Sequence, residues 1–177
     1  FIFIGTQGME FMWNRMSLTE LLFNDRWDPT IEPPTYGAWP LIMGTAWITF
    51  VAMLVAVPLA FAAAVYVGEF AQGRMREWLK IGIEFLAAIP SVVWGVIGFL
   101  VMRDVIEYVF DVQVGLNVLN AGIILGLMAA PIIATIAEDA LKAVPDSYRE
   151  AAESLGATRW QVIWRVVLPH ARPGLSA

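Results

Sequence analysis

The sequence predicts an all-α polytopic membrane protein, a bundle of transmembrane helices. Of its 177 residues, 59% are apolar and only 15% are charged, whereas an average soluble domain is about 45–50% apolar and about 25% charged. A soluble fold of this length could not bury so much apolar surface, so the excess must face lipid. This composition excludes a soluble enzyme, a secreted disulfide scaffold and a disordered regulator.

The net charge and the absence of cysteine exclude further classes of partner, metal site and catalytic group. A net charge of −5 argues against a nucleic-acid partner, which would need a basic surface. Without cysteine the chain has no thiol nucleophile, disulfide or sulfur-ligated metal. No His, Asp or Glu cluster has metal-ligand spacing, and no G-x-x-x-x-G-K-S/T loop is present to cradle ATP phosphates. We expect no metal, no cofactor and no catalytic residues, so any ATP hydrolysis belongs to a partner.

Three apolar stretches are long enough to cross a bilayer, which takes about 20 residues of helix. They run from about 41 to 67, from about 80 to 102 and from about 117 to 137. Each is apolar on nearly all sides, which is not the pattern of a surface helix. A proline in a membrane helix predicts a kink, either as a hinge or pathway-lining bend or as ordinary bundle packing. Each stretch carries one: Pro58, Pro90 and Pro131.

Residues 1–40 are expected to contain the end of a preceding span, at residues 1–4, followed by an external segment. Lys and Arg prefer the cytoplasmic side of a membrane protein. Most of them lie between the first two stretches or after the third: Arg74, Arg76, Lys80, Lys142, Arg149, Arg159, Arg165 and Arg172. Few lie on the other side: Arg15, Arg26 and Arg103. We expect residues 5–39 outside and residues 138–170 inside the cell, in the middle of a larger membrane protein.

Polar residues near the spans leave alternatives open. Glu84 is the one acid inside a predicted span. Burying an acid in a membrane costs free energy, so an acid in a span is taken first as a functional residue. Glu84 could instead reach interfacial water or pair with Lys80. Asn117 and Asn120 are expected to cap the external entry of the third span. His170 has no partner in the sequence pattern and is expected at the interface.

The segment from 145 to 169 carries two short helix signals separated by a glycine. Ser147 with Glu150 fits a capping box, as does Thr158 with Gln161. Gly156 lies where a helix end favours a left-handed residue. A proline, Pro169, is expected to stop the second helix.

Each of the two helices has an apolar face at spacing i, i+3, i+4 and i+7, which we expect to contact the membrane domain. In the first helix this face is Tyr148, Ala151, Ala152 and Leu155, and in the second it is Trp160, Ile163, Trp164 and Val167. The opposite face of the first helix is expected to stay exposed: Arg149, Glu150, Glu153 and Ser154.

A specific motif begins in the first of these helices. It consists of Glu150-Ala151-Ala152, a glycine four residues after Ala152, and the pair Leu168-Pro169. It resembles the EAA loop of permease subunits of binding-protein-dependent ABC importers, in which a short helix docks into a groove on the cytoplasmic ATPase. The resemblance implies an ATPase-coupling role for six residues: Arg149, Glu150, Ala151, Ala152, Glu153 and Gly156.

Four other segments are similar to the PstC-type permeases of phosphate ABC importers, in the MetI-like superfamily: residues 27–45, 68–70, 83–95 and 138–145. Gly68 and Phe70 depart from that family's serine and tyrosine. The resemblance implies a permease core at residues 41–177 that lacks an earlier span and further spans after residue 177. The polar intramembrane residues of those later spans cannot be carried over.

The resemblance also implies a function and its partners. The chain would be a multi-pass permease of the cell inner (plasma) membrane that translocates inorganic phosphate and is not itself an enzyme. Its partners would be cytoplasmic ABC ATPase subunits, a second permease subunit, an external or periplasmic phosphate-binding protein and membrane lipid.

Three alternatives remain. The first is a related permease for another oxyanion or a small solute. The second is a helix-turn-helix DNA reader, which the aromatic residues of the second helix and the preceding spans disfavour. The third is a membrane scaffold or sensor, which would need the spans but no coupling loop.

Overall fold

The computed structural model describes residues 3, 5, 6, 8–10 and 18–175 and confirms the all-α class. From Leu18 onward the α-helices are α1 Leu18–Phe23, α2 Trp39–Val65, α3 Gly73–Ala87, α4 Ser91–Ile97, α5 Arg103–Phe110, α6 Val118–Lys142, α7 Asp146–Ser154, α8 Arg159–Val162 and α9 Leu168–Leu175. Three π-helical turns continue helices, at Tyr66–Phe70, Gly98–Met102 and Ile163–Val167. A short antiparallel hairpin consists of β1 (Trp27–Asp28) and β2 (Thr35–Tyr36).

Among the described residues, two helices are long and apolar enough to cross a membrane by length and composition. They are Trp39–Phe70, which is α2 with its π-helical turn, and Val118–Lys142, which is α6. They contain most of the first and third predicted spans. The second predicted span is a broken helix rather than one kinked helix, because Gly73–Ala87 and Ser91–Phe110 are bent by 85° at the break between them.

The three prolines act differently in these helices. Pro90 has the extended ψ of 141° and precedes α4, and a proline also restricts the residue before it to extended backbone, which ends α3. Pro58 and Pro131 lie inside continuous helices, where a membrane protein can satisfy the freed carbonyl in other ways. The carbonyl freed by Pro131 is that of Leu127, four residues earlier; the carbonyl of Pro131 itself accepts the hydroxyl of Thr135 at 3.1 Å.

The chain divides into two units, Phe1–Thr49 and Phe50–Ala177. In the first unit, Ala38 donates to the carbonyl of Leu21 at 2.6 Å. In the turn of the hairpin, the hydroxyl and amide of Thr30 donate to Asp28 and hold the pKa of that carboxyl below its usual value. The expected end of a preceding span, residues 1–4, lies outside the described residues except for Phe3, and Arg15 also lies outside them.

In the second unit, α6 packs closely against the part of α2 that belongs to this unit. Small residues of α2 recur every fourth position on one face and are buried: Ala52, Ala56, Ala60 and Ala64. A Cβ added to Gly126 of α6 would lie 2.8 Å from the carbonyl oxygen of Ala52. Small residues thus let the two backbones approach, as is usual between membrane helices.

Asn120, in the first turn of α6, hydrogen-bonds to the broken helix. The side chain of Asn117 accepts from the backbone N–H of Asn120 at 3.1 Å, as expected of a cap. Asn120 itself is buried, and its amide donates to the carbonyls of Gly98 at 3.0 Å and Gly115 at 2.9 Å. Asn120 is therefore a tertiary contact rather than a second cap.

Candidate functional site

The candidate site is the segment that follows α6, from α7 to α9, which contains the predicted coupling motif. Gly156 separates its two halves and has a φ of +83°, a left-handed conformation that glycine adopts without steric cost. Its N–H donates to the carbonyl of Glu153 at 2.9 Å, and the N–H of Ala157 donates to that of Ala152 at 3.1 Å. The predicted glycine turn is confirmed.

Of the two predicted capping boxes, one forms. The N–H of Thr158 donates to Gln161 at 2.9 Å, and the N–H of Gln161 donates to the Thr158 hydroxyl at 3.4 Å. The box of Ser147 and Glu150 was wrong, because α7 begins at Asp146, after Pro145 and without a side-chain cap, so that Ser147 lies inside the helix.

The expectation that Pro169 stops the second helix was also wrong. Pro169 and Pro173 both lie within α9. The π-helical turn just before α9 explains this, since the N–H of Leu168 donates to the carbonyl of Ile163, five residues back. A proline immediately after this turn interrupts no regular α-helical ladder, and its fixed φ suits a helix.

The faces of α7 are not those that the periodicity predicts. No residue of α7 is buried, and Leu155, expected against the membrane domain, is 89% exposed. Tyr148 is exposed beside His170, with ring centroids 4.6 Å apart, and Ala152 alone of this face rests half-buried on the apolar core. Arg149, expected on the exposed face, instead points inward.

Arg149 gathers acceptors from three parts of the chain. Its guanidinium binds the Glu69 carboxylate at 2.9 Å and the carbonyls of Leu141 and Val144 at 2.9 and 2.6 Å. It also binds Asp146, in its own helix, at 3.1 Å. The side chains of Arg149 and Glu69 are only 18% and 12% exposed. We call this group the Arg149 clamp; its five residues are Glu69, Leu141, Val144, Asp146 and Arg149.

The rest of the segment is held by apolar burial. Its buried side chains, Val162, Ile163, Val167 and Ala171, form one core with Ala64 and Val65 of α2 and with Ala137, Leu141 and Val144 at the end of α6. Of the predicted face, Ile163 and Val167 are buried, while Trp160 and Trp164 stay about half exposed. The two tryptophan rings lie near Phe70 and Phe61, with centroids 6.4 and 6.3 Å apart.

A second acid that the sequence did not single out is buried beside this segment. The side chain of Glu138 is 4% exposed and pairs with Lys142, four residues on, and with Arg76 of α3 at 3.6 Å. The i,i+4 spacing of Glu138 and Lys142 is the signal that could have found it. Glu84, which the sequence did single out, is exposed and pairs with no cation, Lys80 included, in the part of the chain that the structure describes.

The remaining predicted site residues lie outward. Glu150, Ala151 and Glu153 are exposed on α7. The structure therefore separates the predicted coupling set into an inward arginine and an outward acidic surface. Within the described ranges no group of three or more His, Cys, Asp or Glu side chains could hold a metal ion.

The sequence is similar to a known family of membrane proteins and to individual members of known function class. Residues 56–177 match the family described as the binding-protein-dependent transport system inner membrane component. The chain is 39% identical, over 98% of its length and 57% of the relative's, to the probable ABC transporter permease protein YqgH of Bacillus subtilis. It is 33% identical to the phosphate transport system permease protein PstC of Pasteurella multocida, over 97% of this chain and 56% of that one.

A solved structure is similar in fold. The chain superposes with a TM-score of 0.58 and 24% identity on a chain of the MetNI methionine ABC transporter in an inward-facing conformation, over 78% of this chain and 62% of that one. The chain thus spans a little over half the length of the curated relatives that it matches.

Proposed function

The chain belongs to the family of binding-protein-dependent transport system inner membrane components, and from this premise we propose that it is a permease of an ABC importer for inorganic phosphate. The observation that carries the proposal is the similarity, over 97% of the chain, to a permease named for phosphate transport. The helices long and apolar enough to span a membrane agree with the family's description as an inner membrane component.

In this proposal α7 is the helix that contacts a cytoplasmic ATPase. It presents Glu150 and Glu153 outward with Leu155 at its end, while the Arg149 clamp holds its inner side. A short helix so fixed can act as a rigid lever. The ATP would be hydrolysed by ABC ATPase subunits, and the full importer would include a second permease subunit, an external or periplasmic phosphate-binding protein and surrounding lipid.

Charge reversal on α7 tests the ATPase contact. We expect Glu150→Arg, in the complete coding sequence, to abolish both co-purification of the ATPase and phosphate uptake, because it places a cation on the outward acidic surface. The matched control is Glu77→Arg, which reverses another exposed acid, on α3, and should leave both unchanged. Normal uptake and normal ATPase binding by Glu150→Arg would refute this contact.

The hinge or pathway role of Pro58, Pro90, Pro131 and Glu84 is part of the proposal. Pro90 is the best supported of the four, because it stands at the 85° break of the second candidate span. We expect Pro90→Ala, which permits a continuous helix, to slow phosphate uptake without loss of ATPase binding. Unchanged uptake would remove Pro90 from the proposal.

A second candidate function is import of another oxyanion or a small solute. It is favoured by the Bacillus subtilis relative, whose name gives no solute. Uptake of labelled phosphate, sulfate and molybdate, measured in a strain that lacks the gene and again after complementation, separates the two. We expect restoration of phosphate uptake alone; restoration of sulfate or molybdate uptake alone would establish the alternative.

A further inference from the structure

We propose that Arg149 and Glu69 are positioning residues that pass the movement of α7 to the membrane helix α2, an inference that rests on the proposed function. Glu69 lies in the π-helical turn Tyr66–Phe70, which continues α2 without a break. Arg149 lies in α7, 80 residues further along the chain, and the two side chains meet at 2.9 Å. The pair therefore joins the surface-exposed helix directly to the end of a candidate span.

The Arg149 clamp supplies the main direction-dependent contacts that hold α7 against α6 and the end of α2. That helix buries none of its residues, and only the methyl of Ala152 rests on the apolar core. Apolar contact is non-directional, whereas the planar guanidinium presents its donors in a fixed fork. Its Nη2 donates to Glu69 and to the carbonyl of Leu141, and its Nη1 donates to the carbonyl of Val144. With both ends of the fork engaged, the guanidinium fixes both the position and the rotation of α7.

The burial of Arg149 and Glu69 favours a contact that persists when α7 moves. Both side chains are largely shielded from water, so salt screens their attraction less than that of a surface pair. Separating them would leave the largely buried Glu69 carboxylate without its cation, which is costly. When the ATPase moves α7, the turn Tyr66–Phe70 is therefore expected to move with it rather than detach.

The test uses the complete permease with its ATPase in proteoliposomes and measures phosphate transported per ATP hydrolysed. Couplings between sites typically correspond to about 5- to 150-fold effects, and we expect Glu69→Gln to lower this ratio by about tenfold while the ATPase remains bound. Glu69→Asp, which keeps the charge on a shorter arm, should recover part of it. A defect of structure alone would lower the amount of assembled complex, not the ratio.

The matched control is Asp104→Asn. It makes the same acid-to-amide change in an ion pair of similar length, Arg103 with Asp104 at 2.8 Å, which is exposed and lies away from α7. We expect its transport ratio to equal that of the wild type. An unchanged ratio in Glu69→Gln, or an equal fall in Asp104→Asn, would overturn the proposal.

Hydrogen exchange gives a second measurement that applies even where transport is weak. In the wild-type complex, nucleotide binding should change amide exchange in α7 and in Tyr66–Phe70 together. In Glu69→Gln the response of α7 should persist and that of Tyr66–Phe70 should be lost; a joint response in this variant would overturn the proposal. A wild-type complex that neither binds an ATPase nor transports any tested oxyanion would instead refute the proposed function and this inference with it.

Discussion

The two halves of the segment after α6 are attached to the same helices by different forces. The half after Gly156 buries Val162, Ile163, Val167 and Ala171 in the apolar core. The half before it, α7, buries no residue and is held chiefly by one arginine. Two neighbouring pieces of one loop, separated by a single glycine turn, thus differ in what binds them to the membrane helices.

This difference suggests a division of labour. Complete burial of a branched aliphatic side chain contributes about 1.5–3 kcal/mol, so the second half is anchored by a stabilising but non-directional contact. A hydrogen bond to a charged group contributes about 1.5–3 kcal/mol, but the desolvation of a partly buried ion pair offsets much of the gain. The clamp therefore contributes more to orientation than to stability, which suits a helix that must be both held and moved.

The largest expected effect comes from damage to the apolar anchor. Leu141 is 0% exposed in the core beneath the second half. We expect Leu141→Ala to lower the free energy of unfolding by about 2–5 kcal/mol, because the change removes buried methyl groups and leaves a cavity. Thermal unfolding in detergent measures this.

The matched control for Leu141→Ala is Leu155→Ala, because Leu155, which immediately follows α7, is 89% exposed. A surface change of this kind usually alters stability by less than about 0.5 kcal/mol. Equal destabilisation by both variants would remove the contrast between the two halves.

A smaller effect on stability is expected from loss of the clamp. Arg149→Gln leaves Glu69 without its cation and removes donors from the carbonyls of Leu141 and Val144. We expect a cost of about 1–3 kcal/mol together with much faster proteolysis within α7 than within α9. If proteolysis accelerated equally in both helices, the halves would not be independently attached.

The features of this segment that could be predicted from sequence are the local ones. The apolar stretches, the Gly156 turn and the box of Thr158 with Gln161 depend on residues close together in the chain, and the structure has all of them. The inward turn of Arg149 could not be predicted, because its acceptor Glu69 lies 80 residues away. Periodicity identifies the two faces of a helix but not which of them meets a partner.

The same reasoning applies to two acids, Glu84 and Glu138. Glu84 lies among apolar residues in the sequence, yet it is exposed in the structure, whereas Glu138 is buried where α3 meets α6. Burial of Glu138 depends on Arg76, which lies on another helix. Sequence spacing reveals only the pairing of Glu138 with Lys142. The contact with Arg76, and with it the burial of Glu138, could not be predicted without the fold.

The smallest expected effect on stability comes from the helix caps. It tests which half of the segment has a side-chain cap at the start of its helix. Thr158→Ala should lower the free energy of unfolding by about 1 kcal/mol, because it removes the acceptor for the N–H of Gln161. Ser147→Ala should leave it nearly unchanged, because α7 begins at Asp146 and has no side-chain cap. Chemical or thermal unfolding of the two variants decides between them. A Ser147→Ala variant as unstable as Thr158→Ala would mean that α7 has its own cap and depends less on Arg149 than the contrast requires.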